Sequence, residues 1–348
     1  MAEKRVRIGI VGAGANTRDR HIPGFRSIAG VEIAGVVNST PESSARAAQE
    51  FGIPKTYPSW KALVEDADID AVCIGTWPNL HCDVTCAALA SGKHVLTEAR
   101  MARNADEAKK MLAASKAHPQ LVAQVVPSPF GLIQDRFVQK LINDGYLDQL
   151  REVVVIGAAD MFWDYSKSLH WRQNREISGN NVLSLGILHE TLLRWVPSPT
   201  RVLAQSATFE ATRPDANSHR QLAVTVPECV QVLTQFAGGA RGLYHFSGME
   251  LFGPGQQIHL YGRNGTIKYL AAPQEKLFVG RDGDKELIEV QVPADLRGGW
   301  RVESEFIGAI RGQEQVKYTD FAAGVRYMEF VDAVARSCET SLPVDLAP

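Results

Sequence analysis

The chain has little of what marks the more specialised protein classes. Its 348 residues include only five cysteines, Cys73, Cys82, Cys86, Cys229 and Cys338, and none are in CxxC spacing. An odd, unclustered set is no disulfide framework, and reduced thiols in the cytoplasm fit it best. Cys82 and Cys86 would share a helix face, but His81 and Asp83 beside them do not complete a zinc pattern, so no metal site is expected. The apolar runs are strand-sized, far below the roughly 20 residues of a membrane span. A formal net charge of -2 gives no basic surplus for nucleic acid. Met1 to Arg7 is charged and lacks an apolar leader, so export is not expected. What is present, 45% hydrophobic residues over this length, describes two globular domains.

In the first third, short β-rich runs alternate with helix-length segments. Strands are expected at Val6 to Val11, Val31 to Val37, Ala71 to Thr76, His94 to Thr97 and Leu121 to Val126, with helices at Arg18 to Ala29, Pro41 to Phe51, Leu80 to Ala90 and Asp106 to Ala117. Such alternation means a parallel sheet with crossover helices. After Pro127-Ser128-Pro129 the pattern changes to one helix (Leu132 to Asn143) and then β-rich runs with few helices between them. A tight turn is expected at Gly262-Arg263-Asn264-Gly265 and a last helix at Ala322 to Cys338. The expected class is therefore α/β: a parallel-sheet domain over residues 1–127, and an α+β domain with a mostly antiparallel sheet over 128–348.

The run Ile8-Gly9-Ile10-Val11-Gly12-Ala13-Gly14-Ala15-Asn16-Thr17 sets a glycine turn between the first strand and its helix. Gly12 permits the turn, Gly14 lets backbone approach a pyrophosphate, and amides at Ala15 and Asn16 meet the anion at the helix start. Thr17 replaces the third glycine of GxGxxG. The reading is a dinucleotide-binding Rossmann domain. NAD-selective domains usually place an acid after the second strand, but here the stretch is Val37-Asn38-Ser39-Thr40. Without that carboxylate NADP is slightly favoured over NAD, with Asn38 and Ser39 as candidate contacts. The competing reading is a loop that caps the helix opened by Pro41. Strand C-termini line the ligand crevice of an open parallel sheet, which adds Thr76, Trp77, His81 and Glu98 as cofactor-binding candidates.

Several segments together resemble the Gfo/Idh/MocA oxidoreductases: Gly12-Ala13-Gly14, His21-Ile22-Pro23, Pro78-Asn79 with His81, Ala90 through Glu98, Trp171-Arg172, His189 and Gly262 with Gly265-Thr266. The resemblance covers essentially the whole chain. It implies a Rossmann domain followed by an open-faced sheet, a nicotinamide cofactor, Glu98 near the nicotinamide ribose, and a homodimer or homotetramer. In that family the fourth strand ends in Glu-Lys-Pro, whose lysine assists proton transfer, whereas this chain has Glu98-Ala99-Arg100. Ala99 cannot move a proton, and Arg100, always charged, would serve as an electrostatic clamp. The family's Asp-x-x-x-His aligns on Leu185 and His189, leaving His189 as the expected acid-base group. A core histidine is the competing reading, because Leu185 and Leu192 share its helix face. The segment Asp160 to Arg172 is rich in aromatic and titratable side chains, and Tyr165 and His170 are candidate catalytic groups there.

The expected activity is hydride transfer between NAD(P) and a hydroxyl, carbonyl or imine carbon of a small, polar, cyclic or sugar-like substrate, with a non-standard acid-base set. Two alternatives stand beside it. One is an internal redox cycle on a retained cofactor, ending in elimination or glycoside cleavage. The other is NAD(P) binding without catalysis.

Overall fold

The computed structural model describes residues 5–218, 220–271 and 274–346. The chain divides into two compact units, Met1–Pro127 with Arg301–Arg326, and Ser128–Trp300 with Tyr327–Pro348.

The first unit holds a parallel sheet of β1 (Val6–Val11), β2 (Val31–Val37), β3 (Ala71–Ile74), β4 (His94–Thr97) and β5 (Ala123–Val125), in the order β2-β1-β3-β4-β5. β3 is buried along its whole length, as a parallel strand covered by crossover helices must be. Thr40 caps the helix Pro41–Glu50, accepting from the Ser43 amide while Ser43 Oγ accepts from the Thr40 amide, with Pro41 at its first position. The strand ends are tied side by side: the Gly12 amide donates to Val37, Gly75 to Val11 and Glu98 to Ile74.

Three features depart from the sequence reading. The helix expected at Arg18 to Ala29 is a π-turn, Thr17–His21, followed by an α-helix, Ile22–Arg26. Pro23 brings no amide to the ladder, and a wide turn just before it satisfies the backbone without one. A short helix at Trp60–Glu65, capped by Ser59, was not expected. Residues 128–348 also do not all lie in the second unit. The helix Val302–Ile310 packs Phe306 edge-on against Phe25 at 6.4 Å, Gln124 donates to Glu305 at 3.0 Å, and the Val125 amide donates to Thr319. These contacts put Arg301–Arg326 with the first sheet.

The second unit is built on a nine-stranded sheet. Its strands are β6 (Leu150–Ala158), β7 (Pro199–Ala207), β10 (Cys229–Phe236), β11 (Arg241–Ser247), β12 (Gly255–Gly262), β13 (Gly265–Leu270), β14 (Lys276–Arg281), β15 (Ile288–Glu289) and β16 (Val344–Asp345), with the small hairpin β8 (Thr212–Pro214) and β9 (Gln221–Ala223) beside it. The order is β15-β14-β13-β12-β6-β11-β10-β7-β16, and only β6 and β11 pair in parallel. Arg263 and Asn264 make the turn between β12 and β13. One face carries Val153, Val155, Val230, Val232, Tyr244, Phe246, Ile258 and Leu260 into a core shared with Leu185, Leu188, Leu192 and Phe330. On the other face Leu203, Leu233 and Leu243 lie in one cross-strand row, 41%, 57% and 44% exposed. The sheet is open-faced, as the resemblance implied.

Candidate functional site

In the first unit the glycine turn is built by close packing. Gly12 has φ +87°, and a Cβ there would lie 2.7 Å from Thr76 Cγ2. Thr17, where the usual motif has its third glycine, packs on Gly75 instead. A Cβ on Gly75 would sit 1.9 Å from Thr17 Oγ1 and 2.3 Å from the Gly12 carbonyl. The space that the motif ordinarily makes in the helix is made here in the neighbouring strand end. Gly14 and Ala15 remain exposed at the head of the helical run, whose first-turn amides have no intrahelical acceptor. Thr76 Oγ1 is buried with no hydrogen-bond partner among the described residues. An exposed helix start, a turn without side chains and an orphaned hydroxyl fit a phosphate-bearing dinucleotide.

Asn38 braces this turn. Its Oδ1 accepts from the Ala13 amide at 2.7 Å, its Nδ2 donates to the Ser43 carbonyl at 2.9 Å, and its own amide donates to Ser44 Oγ. The expectation of a direct ligand contact at Asn38 is therefore corrected: its side chain is committed to the protein, and the capping reading of this loop describes it better. Ser39 beside it is exposed.

At the end of β4, Glu98 sits in a buried polar array. Asn16 Nδ2 donates to Glu98 Oε1 at 2.5 Å, and His21 Nε2 lies 2.9 Å from the same oxygen. His21 Nδ1 lies 2.5 Å from Glu303 Oε1, and the Ala99 amide donates to Glu98 Oε2 at 3.2 Å. Burial opposes a charge on His21, but its hydrogen bonds to Glu303 and Glu98 outweigh burial and push the imidazole up to about 9. Burial likewise opposes a charge on Glu98, and His21 and Asn16 hold its carboxyl below the usual range. His21 was legible only as part of a family match, and Glu303, 282 residues away, carried no sequence signal.

His81 is corrected from a cofactor contact to a structural pin. It is fully buried, with Nδ1 against the carbonyls of Arg100 and Met101 at 3.0 and 3.2 Å and Nε2 against that of Thr76 at 3.0 Å. It ties the segment after β4 to the end of β3. Trp77, next to it, is half exposed. The Ala99-Arg100 peptide is cis, and the Arg100 side chain is buried at 2% exposure.

In the second unit, His189 lies on the helix Leu185–Leu193, in the core. Its ring stacks on Phe330 with centroids 3.6 Å apart, and Nδ1 is 3.0 Å from the Tyr244 hydroxyl. Burial pushes its pKa down to about 3, so the ring is neutral at pH 7 and cannot serve as a resting general acid. The acid-base expectation is corrected to that extent. Nε2 has no hydrogen-bond partner among the described residues, and a neutral nitrogen of this kind can hydrogen-bond a ligand oxygen.

The aromatic segment forms a loop after β6. Tyr165 is 67% exposed there. His170 is half-buried, its Nδ1 accepts from the Arg172 amide at 3.2 Å, and burial followed by the Arg172 charge lowers its pKa. No hydrogen bond or ring contact joins either residue to His189 among the described residues. The loop is held by a pair that the sequence reading missed, Arg213 and Glu228. Arg213 donates to the carbonyls of Phe162 and Asp164 and to Glu228, and Glu228 also accepts from Gln173 Nε2 and the amides of Phe209 and Glu210.

Residues 6–125 match the description "Oxidoreductase family, NAD-binding Rossmann fold", and residues 136–268 match "GFO/IDH/MocA C-terminal domain". The chain belongs to the GFO/IDH/MocA oxidoreductases. Among its curated relatives in this family, a levoglucosan dehydrogenase of Pseudarthrobacter phenanthrenivorans is 25% identical over 281 residues, covering 76% of this chain and 69% of that one. An inositol 2-dehydrogenase of Ralstonia nicotianae is 27% identical over 278 residues, covering 77% and 75%. A solved levoglucosan dehydrogenase, in complex with NADH and L-sorbose, has a TM-score of 0.88 at 22% identity, covering 99% of each chain. That last likeness is one of fold. No helix among the described residues of this family member is long and apolar enough to cross a membrane.

Proposed function

We propose that this protein transfers a hydride between a nicotinamide dinucleotide and a hydroxyl- or carbonyl-bearing carbon of a polar cyclic or sugar-like substrate. The observation that carries the reading is the first unit's cradle: an exposed helix start behind a glycine turn, with Thr76 and Glu98 at the ends of the adjoining strands. The substrate class is supported by relatives named for levoglucosan and inositol. Gly14, Ala15 and Asn16 hold the pyrophosphate by their amides, while at the strand ends Thr76 Oγ1 donates or accepts hydrogen bonds and the Glu98 carboxylate accepts them. A bound nicotinamide supplies the hydride donor or acceptor. With no acid after β2, NADPH binds at least as well as NADH.

Ala99 stands where the family resemblance places its lysine, so proton handling falls to other groups. We assign Arg100 as a fixed positive charge near the reacting oxygen, where its burial strengthens electrostatics. His189 Nε2 is the hydrogen-bonding partner of a substrate oxygen, and the exposed loop aromatics, Tyr165 among them, pack on the ring face. Five free cysteines fit a reducing compartment, the cytoplasm. A second copy of the chain covers the open sheet face, in a homodimer or homotetramer.

The second reading is an internal redox cycle on a retained cofactor, with which the altered acid-base set, Ala99 and the neutral His189, is compatible. One experiment separates the readings. NADH and NADPH are titrated by nicotinamide fluorescence, and a sugar, cyclitol and ketone panel is then followed at the nicotinamide absorbance. Stoichiometric cofactor consumption supports net dehydrogenation. Turnover without consumption moves the assignment to the internal cycle, binding without turnover leaves a non-catalytic protein, and failure to bind either nucleotide refutes the reading.

A further inference from the structure

Glu98 buries a carboxylate at the end of β4, and a buried charge persists only where it is paired and hydrogen-bonded. Its two oxygens are treated differently. Oε1 is saturated by Asn16 Nδ2 at 2.5 Å and His21 Nε2 at 2.9 Å, whereas among the described residues Oε2 accepts the Ala99 amide, at a long 3.2 Å. The carboxylate is thus clamped on one side, with acceptor capacity left on the other. His21 is itself fixed from behind. Glu303, on the helix Val302–Ile310 of the same unit, meets Nδ1 at 2.5 Å, and His21 is fully buried.

We propose that the Glu303–His21–Glu98 array is a positioning device that fixes Glu98 Oε2 to accept a sugar hydroxyl of the bound dinucleotide, and that Glu303 acts on the ligand only through His21. This rests on the dinucleotide reading of the glycine turn. Two carboxylates facing one imidazole keep both ring nitrogens protonated, so His21 donates in both directions and neither tautomer leaves Glu98 facing a lone pair. Loss of the His21 proton would turn one of those contacts repulsive and free Glu98 to rotate.

The groups facing this array are Asn16 on the same helical run, Glu98 after β4, Glu303, Cys73 on β3 and His81 on the helix Pro78–Ala90. Burial raises the Cys73 thiol and lowers His81, so both stay neutral at mildly alkaline pH. From pH 7 to 10, His21 is the member of the array that changes charge.

The test measures NADPH and NADH dissociation constants by nicotinamide fluorescence from pH 6.5 to 10, for wild type, Glu303→Gln and His21→Gln. It is paired with an NMR titration of the His21 ring in the ligand-free proteins. Wild-type affinity should hold at neutral pH and fall through about pH 9, by no more than about tenfold per unit for one proton. Glu303→Gln, which keeps the hydrogen-bonding shape, should move both the NMR transition and the affinity loss to lower pH together. His21→Gln should weaken binding at pH 7 by roughly tenfold or more, the size of one charged hydrogen bond, and flatten the alkaline limb. If wild type binds but Glu303→Gln keeps its pH profile, the array has no positioning role while the dinucleotide reading stands. If wild type binds neither nucleotide, both fall.

Discussion

Gly75→Ala isolates the packing of the nucleotide turn. The added Cβ would lie 1.9 Å from Thr17 Oγ1 and 2.3 Å from the Gly12 carbonyl. The first contact is to a side chain that can be removed, and the second is to backbone that cannot. Overpacking of this kind costs about 1–3 kcal/mol, and here it acts on the turn that should receive the pyrophosphate. The expected outcome is a destabilised first unit, seen in chemical denaturation, together with nucleotide affinity at least about tenfold weaker by fluorescence, since roughly 1.4 kcal/mol of displaced backbone suffices. The double variant Thr17→Gly/Gly75→Ala restores the usual third glycine and removes the 1.9 Å clash, but it leaves the 2.3 Å one. It should therefore recover part of the stability and little of the affinity. Gly75→Ala with wild-type affinity and stability would refute the claim that Gly75 makes the space that Thr17 occupies. Full rescue in the double variant would show that the backbone contact relaxes freely.

Arg213→Met should cost about 3–5 kcal/mol, because it leaves the buried Glu228 charge without its counter-charge, and should open the Ala159 to His170 loop to limited proteolysis; Arg213→Met/Glu228→Gln should cost less than the two single changes added together. His189 is held neutral with a pKa near 3, so acid unfolding should include its share: as pH falls from about 6.5 towards 3 the unfolded chain takes up a proton that the native ring refuses, and stability drops by up to about 1.4 kcal/mol per pH unit. His189→Phe should flatten that part of a stability-against-pH curve, and an unchanged slope would contradict the buried neutral ring. Leu233→Asp places a charge at the centre of the exposed leucine row and should lower the oligomer mass seen by light scattering, and a monomeric wild type would refute coverage of that face by a second copy.

How far the sequence could be read follows from the range of the interactions. Local devices were legible. Thr40-Pro41 reads as a helix start because a cap and a preset φ act within one turn. Gly262 to Gly265 reads as a hairpin because two residues join β12 to β13, and Gly12 reads as a turn because its φ of +87° suits glycine. What failed depended on residues far apart in sequence. Nothing near His21 announces Glu303, and nothing near Phe162 or Asp164 announces Arg213. The same limit explains the unit boundary: the composition change at Pro127 was visible, but the return of Arg301–Arg326 to the first sheet depends on Glu303, Glu305 and Phe306 finding His21, Gln124 and Phe25.

His81 and His189 show the limit in another form. Each was expected near a ligand from the element that carries it, but the ring's own surroundings decide its chemistry. Three backbone carbonyls around His81 make it a pin, and Phe330 and Tyr244 around His189 make it neutral. His21, singled out only as a motif match, is the histidine whose neighbours hold a proton on it at neutral pH, because two carboxylates meet it where burial alone would have discharged it. A histidine's chemistry is set by the charges folded around it, and those are the contacts that sequence spacing does not encode.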